Sequence, residues 1–342
     1  MKAAALHKIG DRFRIEDLPV PTIAPDEVLV ETRTCGICRT DLHIQDGLAY
    51  IPDFPHISGH EPAGVVAAIG ASVDSFKIGQ RVAPYLFLTC DNCHFCRTGR
   101  DAQCSHVKGI LGVTTPGGFA EFFKVPARNL LALPATVSFE AGGLVSCAVI
   151  TAVHAYRRAR LGLNDLAVVL GAGGIGQILV QILKGAGIRT VALGRSPQGL
   201  EMMKKAGADL ALALGPDAIK QIRDFPGGEG ARCVFECVGA AATMKLASEA
   251  AQRGGQIIVI GEEPEFPQID SIQIAQRELE IIGSRNGSRQ DARDALAWMA
   301  SGVIQPPIAG RFALEELNEA MRLLRTGQAH GRLIILVNDA AR

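Results

Sequence analysis

The chain has no surplus of either charge: 35 Lys and Arg stand against 35 Asp and Glu in 342 residues. A protein drawn to nucleic acid or to anionic membranes carries a basic excess or a basic stripe, so the balance points to small-molecule chemistry. The sequence also lacks a long apolar run, and no stretch approaches the length that spans a bilayer. Its opening, Met1 to Asp17, holds one short apolar run, Ala3 to Leu6, and then charges, which is too short for a secretory segment. No internal repeat and no low-complexity segment occurs. These absences predict a soluble, cytoplasmic protein with neither nucleic-acid nor membrane partners.

What is present is 48% apolar residues and 38 glycines, a mixture that suits buried parallel sheets joined by tight turns. The length predicts about two domains. The first part reads as short strands broken by Pro and Gly, such as Glu27 to Glu31, Gly64 to Gly70 and Arg81 to Pro84. From Leu166 the chain alternates. Strands are expected at Leu166 to Leu170, Thr190 to Leu193, Cys233 to Glu236 and Ile257 to Ile260. Helices are expected at Ile175 to Gly185, Leu200 to Ala206 and Thr243 to Gln252. After Gly283 come two amphipathic helices, Asp291 to Ser301 and Leu314 to Arg325, and a last strand, Leu333 to Val337. The reading is an α/β chain. A doubly wound parallel-sheet dinucleotide-binding domain spans 150–287, and a β-rich, barrel-like catalytic domain is built from 1–149 and 288–342.

The nine cysteines fit a reducing compartment only if they are reduced or metal-bound. Cys90, Cys93, Cys96 and Cys104 fall in one short stretch, and four thiolates at this spacing close a tetrahedral zinc shell with no open position. Buried thiols or two disulfides are the bland alternative. A nucleic-acid zinc module is disfavoured, because Asp91 and Asp101 sit in the lobe and no basic helix follows it. Elsewhere stand Cys38, His60 and Cys147. Two thiolates and one imidazole would leave a fourth zinc position free for a substrate oxygen. Cys35 makes a Cys-x-x-Cys pair with Cys38, which alone would also suit redox chemistry. Cys233 and Cys237 read as core residues, and His7, His56, His94, His106, His154 and His330 as surface or core histidines.

Gly171-Ala172-Gly173-Gly174-Ile175-Gly176 completes G-x-G-x-x-G between an expected strand and helix. The first glycine allows the tight turn, the second admits a pyrophosphate, and the third lets helix pack on strand, with free N–H groups at the helix start. An NAD-binding chain usually ends the next strand with Asp or Glu for the ribose hydroxyls. Here that place falls on Gly194, followed by Arg195 and Ser196, a set that favours the 2′-phosphate of NADP.

Taken together, Cys38-Arg39-Thr40-Asp41, Gly59-His60-Glu61, the four-cysteine lobe, Cys147, the glycine turn and Gly331-Arg332 resemble the medium-chain zinc-dependent alcohol dehydrogenases over almost the whole chain. That family is itself the standard example of a Cys2His catalytic zinc site. The resemblance implies two zinc ions per chain. The catalytic zinc would lie on Cys38, His60 and Cys147, with Glu61 beside it, and Asp41 would hold the imidazole of His60. It implies a proton path from the alcohol through Thr40 and the cofactor ribose to His43 and water. It places Arg39 and Arg332 near the pyrophosphate and Thr151 near the nicotinamide. It brings Leu48, Ala49, Tyr50, Leu86 and Ile110 to an apolar substrate pocket.

The expected activity is reversible hydride transfer between NADP(H), with NAD(H) possible, and a primary or secondary alcohol or its carbonyl. A polyol dehydrogenase is second, since that subgroup tends to use a carboxylate where this chain has Cys147. A zinc-free enoyl or quinone reductase ranks lower, and a catalytically idle redox sensor or scaffold is the reading from another class. The family also implies a homotetramer, with a dimer as runner-up, and an edge strand near Leu279 to Gly283 offers a pairing surface.

Overall fold

Two kinds of strand burial organise the chain. In the long strand Glu27–Ile37 side chains alternate, with Val28, Val30, Thr32 and Thr34 buried and Glu27, Leu29, Glu31 and Arg33 partly exposed, as a sheet with one covered face requires. In Leu166–Leu170 every residue is buried, as in a parallel strand covered on both faces. The computed structural model describes residues 1–226 and 229–338.

The chain divides into two units. The first comprises Met1–Ile150, Ser288–Ser301 and the chain from Ile308 onward; the second comprises Thr151–Gly287 and Gly302–Pro307.

The first unit is sheet-rich. Glu27–Ile37 is its spine and pairs antiparallel with Glu61–Ile69, Phe122–Pro126 and Arg332–Leu336. The C-terminal strand is thus threaded beside the residues leading to Cys38, with Leu333 opposite Ile37 and Ile335 opposite Cys35. A smaller sheet centres on Lys2–Leu6, between Arg14–Asp17 and His56–Ile57. Its core includes Leu6, Phe119 and Phe123, all essentially inaccessible, with Phe13 edge-on to Phe119.

The second unit is a six-stranded parallel sheet. Its spatial order is Leu210–Ala213, Arg189–Gly194, Leu166–Leu170, Ala231–Glu236, Ala251–Val259, Glu280–Gly283. The order reverses between the first and fourth strands in sequence, the switch point where ligands gather in such sheets. Val168, Leu170, Val191, Leu193, Val234 and Ile257 form its core with Ile222, Ala247 and Ala250 from the helices. Helix Pro197–Ala206 shows how sequence sets such boundaries. Ser196 caps it, Pro197 opens it, and Gly207 closes it with a left-handed φ of 111°.

Several expectations shift in detail. The strand expected at Ile257 to Ile260 begins at Ala251, directly after helix Ala241–Ala250, and its register slips near Ala231. Strand Leu210–Ala213 and helices Pro216–Asp224 and Ser271–Arg277 of this sheet unit were not among the expected elements. The first is a short Leu-Ala alternation and the second a polar helix opened by Pro216. Glu280–Gly283 lies at the sheet edge. Among the described residues no single helix is long and apolar enough to cross a membrane.

Candidate metal centre

Residues Thr34 to Cys38 are buried without a break, so the spine strand carries Cys38 into the interior. Cys38 then stands at the N-cap of helix Arg39–Asp46. The third helical residue, Asp41, is fully buried, and its carboxylate is shared. One oxygen accepts the Cys38 N–H at 2.8 Å. The other accepts the Gly59 N–H at 3.3 Å and faces His60 Nδ1 at 3.4 Å. A single carboxylate therefore ties the Cys38 turn to the His60 turn. Cys147 arrives from a third segment, the short turn Leu144–Ser146, anchored where Ser146 Oγ donates to the Pro84 carbonyl at 2.7 Å.

The outcome is a four-residue group. Ligand atoms of Cys38, His60, Glu61 and Cys147 all lie within 4.8 Å of one another. The two sulfurs are 3.9 Å apart. Two thiolates each about 2.3 Å from one tetrahedral zinc would stand about 3.8 Å apart, so the spacing fits a shared ion. His60 is 1% exposed, yet neither ring nitrogen has a hydrogen-bond partner among the described residues. An imidazole left bare at this depth is costly. His60 would be satisfied by holding a metal through its unpartnered nitrogen, with Asp41 facing Nδ1.

The electrostatics agree. The hydrogen bond from Cys147 holds the Cys38 sulfur well below the ordinary thiol range against its burial, and His60 adds to the effect. Cys147 is raised in turn, first by that same contact and then by burial. Burial works against a charge on His60, but Asp41 and Cys38 overcome it.

Glu61 is fully buried behind this group. Oε1 accepts the Ala148 N–H at 3.2 Å, and Oε2 pairs with the guanidinium of Arg332. Burial raises the Glu61 carboxyl, and Arg332 opposes the rise. Gly36 makes the room: a Cβ there would sit 2.3 Å from Glu61 Oε2.

The remaining residues singled out in the sequence fall as follows. Thr40 Oγ1 is 3.8 Å from Cys38 Sγ, and His43, 8% exposed, lies on the same helix. Arg39 opens that helix and is exposed. Thr151 is buried in helix Ala148–Arg158, which starts directly after Cys147. Leu86 and Ile110 are buried, Leu48 is exposed, and Ala49 and Tyr50 are half-buried.

The four-cysteine lobe is a second compact group. Its sulfurs are separated by 3.5 Å for Cys93–Cys96 and Cys90–Cys104, 3.9 Å for Cys93–Cys104 and 4.0 Å for Cys90–Cys96. All four are free thiols, so disulfides do not hold the lobe together, and the edges match a tetrahedron around one zinc. Backbone N–H groups of Cys93 and His106 point at Cys90 and Cys104 sulfurs at 3.4 Å. Similar backbone donors at Cys96 and Ser105 draw Cys93 down to about 6.

In the second unit the glycine turn lies between Leu166–Leu170 and helix Gly174–Gly185. Gly171 takes φ 110°, a Cβ on Gly173 would meet open space, and a Cβ on Gly176 would strike the Gly171 carbonyl. Gly174 and Ile175 form the first turn of the helix. Gly194 ends its strand fully packed, and a Cβ there would lie 2.8 Å from Ala172 Cβ. Arg195 is exposed, with no hydrogen bond or ion pair among the described residues, and Ser196 Oγ accepts the Gly199 N–H at 3.0 Å.

Two domain families match, described as "Alcohol dehydrogenase GroES-like domain" over residues 24–135 and "Zinc-binding dehydrogenase" over 174–301. An alcohol dehydrogenase of Geobacillus stearothermophilus is 31% identical over 341 residues, covering 99% of this chain and 100% of its own. The chain belongs to the medium-chain zinc-dependent alcohol dehydrogenases. A NAD-dependent alcohol dehydrogenase of Sulfolobus acidocaldarius is 30% identical over 346 residues, covering 98% of this chain and 100% of its own. Among solved structures, a zinc-binding dehydrogenase of Sinorhizobium meliloti 1021 bound to NADP superposes with a TM-score of 0.88 at 27% identity. It covers 98% of this chain and 99% of its own. This dehydrogenase is an enzyme, a zinc-dependent oxidoreductase acting with a nicotinamide cofactor.

Two features of the dehydrogenase escaped sequence reasoning. The Glu61–Arg332 pair joins residues 271 positions apart; the one available signal was that an acid buried beside a ligand needs a counter-charge. Arg289 is the other. Nη1 donates to Asp91 at 2.7 Å, Nη2 to Thr89 Oγ1 at 2.8 Å, and its backbone N–H to Asp101 at 2.9 Å. It latches the cysteine lobe to helix Arg289–Ala300. The two lobe acids, read only as arguments against nucleic acid, are its partners.

Proposed function

We propose that the chain catalyses reversible hydride transfer between NADP(H) and a primary or secondary alcohol or its aldehyde or ketone. Cys38, His60 and Cys147 hold a catalytic zinc, and Cys90, Cys93, Cys96 and Cys104 hold a structural one. The observation that carries this reading is the convergence of Cys38, His60, Glu61 and Cys147, with a buried imidazole whose Nε2 has no hydrogen-bond partner among the described residues. When bound, zinc supplies Lewis-acid polarisation of the substrate oxygen, and the nicotinamide supplies or accepts the hydride.

The protein's own groups do the rest. Thr40, whose hydroxyl stands beside Cys38, takes the alcohol proton, and His43 releases it to water. Asp41 holds His60 in orientation, and Arg332 keeps the Glu61 charge from opposing that of the two thiolates. Gly171, Gly173 and Gly176 shape the turn that receives the pyrophosphate at the start of helix Gly174–Gly185. Arg39 and Thr151 border the cofactor. NADP preference follows from Gly194, where Ala172 leaves no room for the acid that would grip a ribose, and from exposed Arg195, whose donors suit a phosphate.

The enzyme works in a reducing compartment, the cytoplasm, consistent with nine cysteines of which none is in a disulfide among the described residues. It assembles as a homotetramer through the Glu280–Gly283 sheet edge. The deciding experiment is cofactor oxidation or reduction across a panel of alcohols and carbonyls with NADP and NAD. Turnover that disappears on chelation and returns with zinc supports the reading; no turnover with any member of the panel removes it.

A further inference from the structure

The parallel-sheet unit carries a groove of about 300 Å³ that shares no residue with the glycine turn or with either cysteine group. Its floor is apolar, made by Met244, Ile257, Ile274 and Ile281. Its polar lining holds three cations, Arg223, Lys245 and Arg277, and two acids, Glu249 and Asp270. Both acids are already engaged. Asp270 accepts the N–H groups of Ile272 and Gln273 at 3.0 and 3.2 Å, and Glu249 stands 4.0 Å from Lys245.

Arg223 and Arg277 are therefore left without a carboxylate partner among the described residues, and Arg253 joins them. These guanidiniums donate to main-chain carbonyls instead. Arg277 donates to Ser248 at 2.9 Å and to Ala251, Arg223 to Glu249 at 3.3 Å, and Arg253 to Gln276 at 2.8 Å. Each guanidinium has five N–H donors, so several remain unspent. Partial burial first, and then the charges of Arg223 and Arg253, pull Arg277 below the ordinary guanidinium range. One cation would complement the carbonyl end of helix Ala241–Ala250. Two, Arg223 and Arg277, share it, while Arg253 reaches the end of helix Ser271–Arg277, and like charges held together are unfavourable until an anion joins them.

We propose that this groove binds a small organic anion with an apolar body. Its carboxylate or phosphate lies between Arg223 and Arg277, and its hydrocarbon rests on Met244, Ile274 and Ile281. The head group matches the forked donors of arginine. The volume lies at the lower end of the roughly 300–1,000 Å³ usual for small-molecule sites.

The test is calorimetric titration of the zinc-loaded full chain with octanoate, phenyl phosphate and inorganic phosphate. The variants are Arg223→Gln, Arg277→Lys and, as controls for the other anion-accepting places, His60→Ala and Arg195→Ala. Octanoate or phenyl phosphate should bind, and Arg223→Gln should weaken that binding by about tenfold or more, the effect of one charged hydrogen bond. Arg277→Lys, which keeps the charge but not the fork, should weaken it less, and the two controls should leave it unchanged. Inorganic phosphate should bind more weakly than phenyl phosphate, because it cannot use the floor.

Equal binding in the parent and Arg223→Gln would overturn the proposal, as would the absence of heat with every probe; the arginines would then be helix caps only. Dissociation of the assembled enzyme by Arg223→Gln, with no ligand bound by the parent, would make the groove a contact between copies and overturn it equally.

Discussion

Arg332 and Glu61, 271 positions apart in the chain, form an ion pair buried beside Cys38 and Cys147. Burial raises the Glu61 carboxyl, and the Arg332 charge opposes that rise. Arg332 is held above the ordinary guanidinium range, against its burial, by Glu61, Cys38 and Cys147. Removing one partner of such a pair typically costs about 3–5 kcal/mol, whereas removing both is far milder. Arg332→Met should therefore destabilise the enzyme by about that amount in urea unfolding, and Arg332→Met with Glu61→Gln should recover part of the loss. A cost below about 1 kcal/mol for the single variant would mean that the pair is not holding two charges in the interior.

Two zinc ions per chain are expected. Elemental analysis of the active protein should return a ratio near two, and Cys104→Ser should lose one metal and stability while the remaining metal still supports chemistry. A parent protein with full activity and a single zinc would contradict the assignment of the lobe.

His60→Ala and Cys147→Ala should lower turnover by more than about a hundredfold while NADPH binding, followed by its fluorescence, persists. The proposed zinc ligands and the glycine turn lie in different units, so a joint loss of binding and turnover would count against the proposed division of labour.

His43→Gln should be milder than the roughly hundredfold or greater loss typical of a general acid–base group. Its effect on alcohol oxidation should grow as the pH falls, where bulk base no longer substitutes for the imidazole. An unchanged pH–rate profile would remove His43 from the proton path.

Cofactor choice is best tested at position 195. Arg195→Ala should lower kcat/KM for NADP by about ten- to a hundredfold and leave the value for NAD nearly unchanged. Gly194→Asp is a poorer probe. Its Cβ would meet Ala172 of the glycine turn at 2.8 Å, so it should impair both cofactors together. A parent enzyme that uses NAD better than NADP would refute the charge argument at both positions.

Much of this was legible in the residues. The parallel strands announced themselves because burial on both faces demands unbroken apolar runs such as Leu166–Leu170. The glycine turn was legible because three different steric demands fall on three fixed positions, and Gly171, Gly173 and Gly176 show three different environments. Strand Leu210–Ala213 was not, since a short Leu-Ala alternation carries little pattern and its place is set by pairing with Arg189–Gly194. The residues that converge in the two clusters were readable from local motifs. Their supports were not, because Arg332, Gly36 and Arg289 act through distances that only the fold closes.

Cys38 is at once a proposed metal ligand and the cap of the helix that carries Thr40 and His43, with Asp41 bonded back to its N–H. Oxidation of that one sulfur to a sulfinic acid would replace a soft donor by a bulky, charged group at the helix entrance. Metal affinity and the first helical turn would then fail together, and the turn contains the proposed proton carrier. Inactivation by peroxide should accordingly follow a single step, with zinc release, loss of turnover and loosening of residues 38–43 sharing one rate. Bound zinc, by occupying the sulfur, should be what protects it.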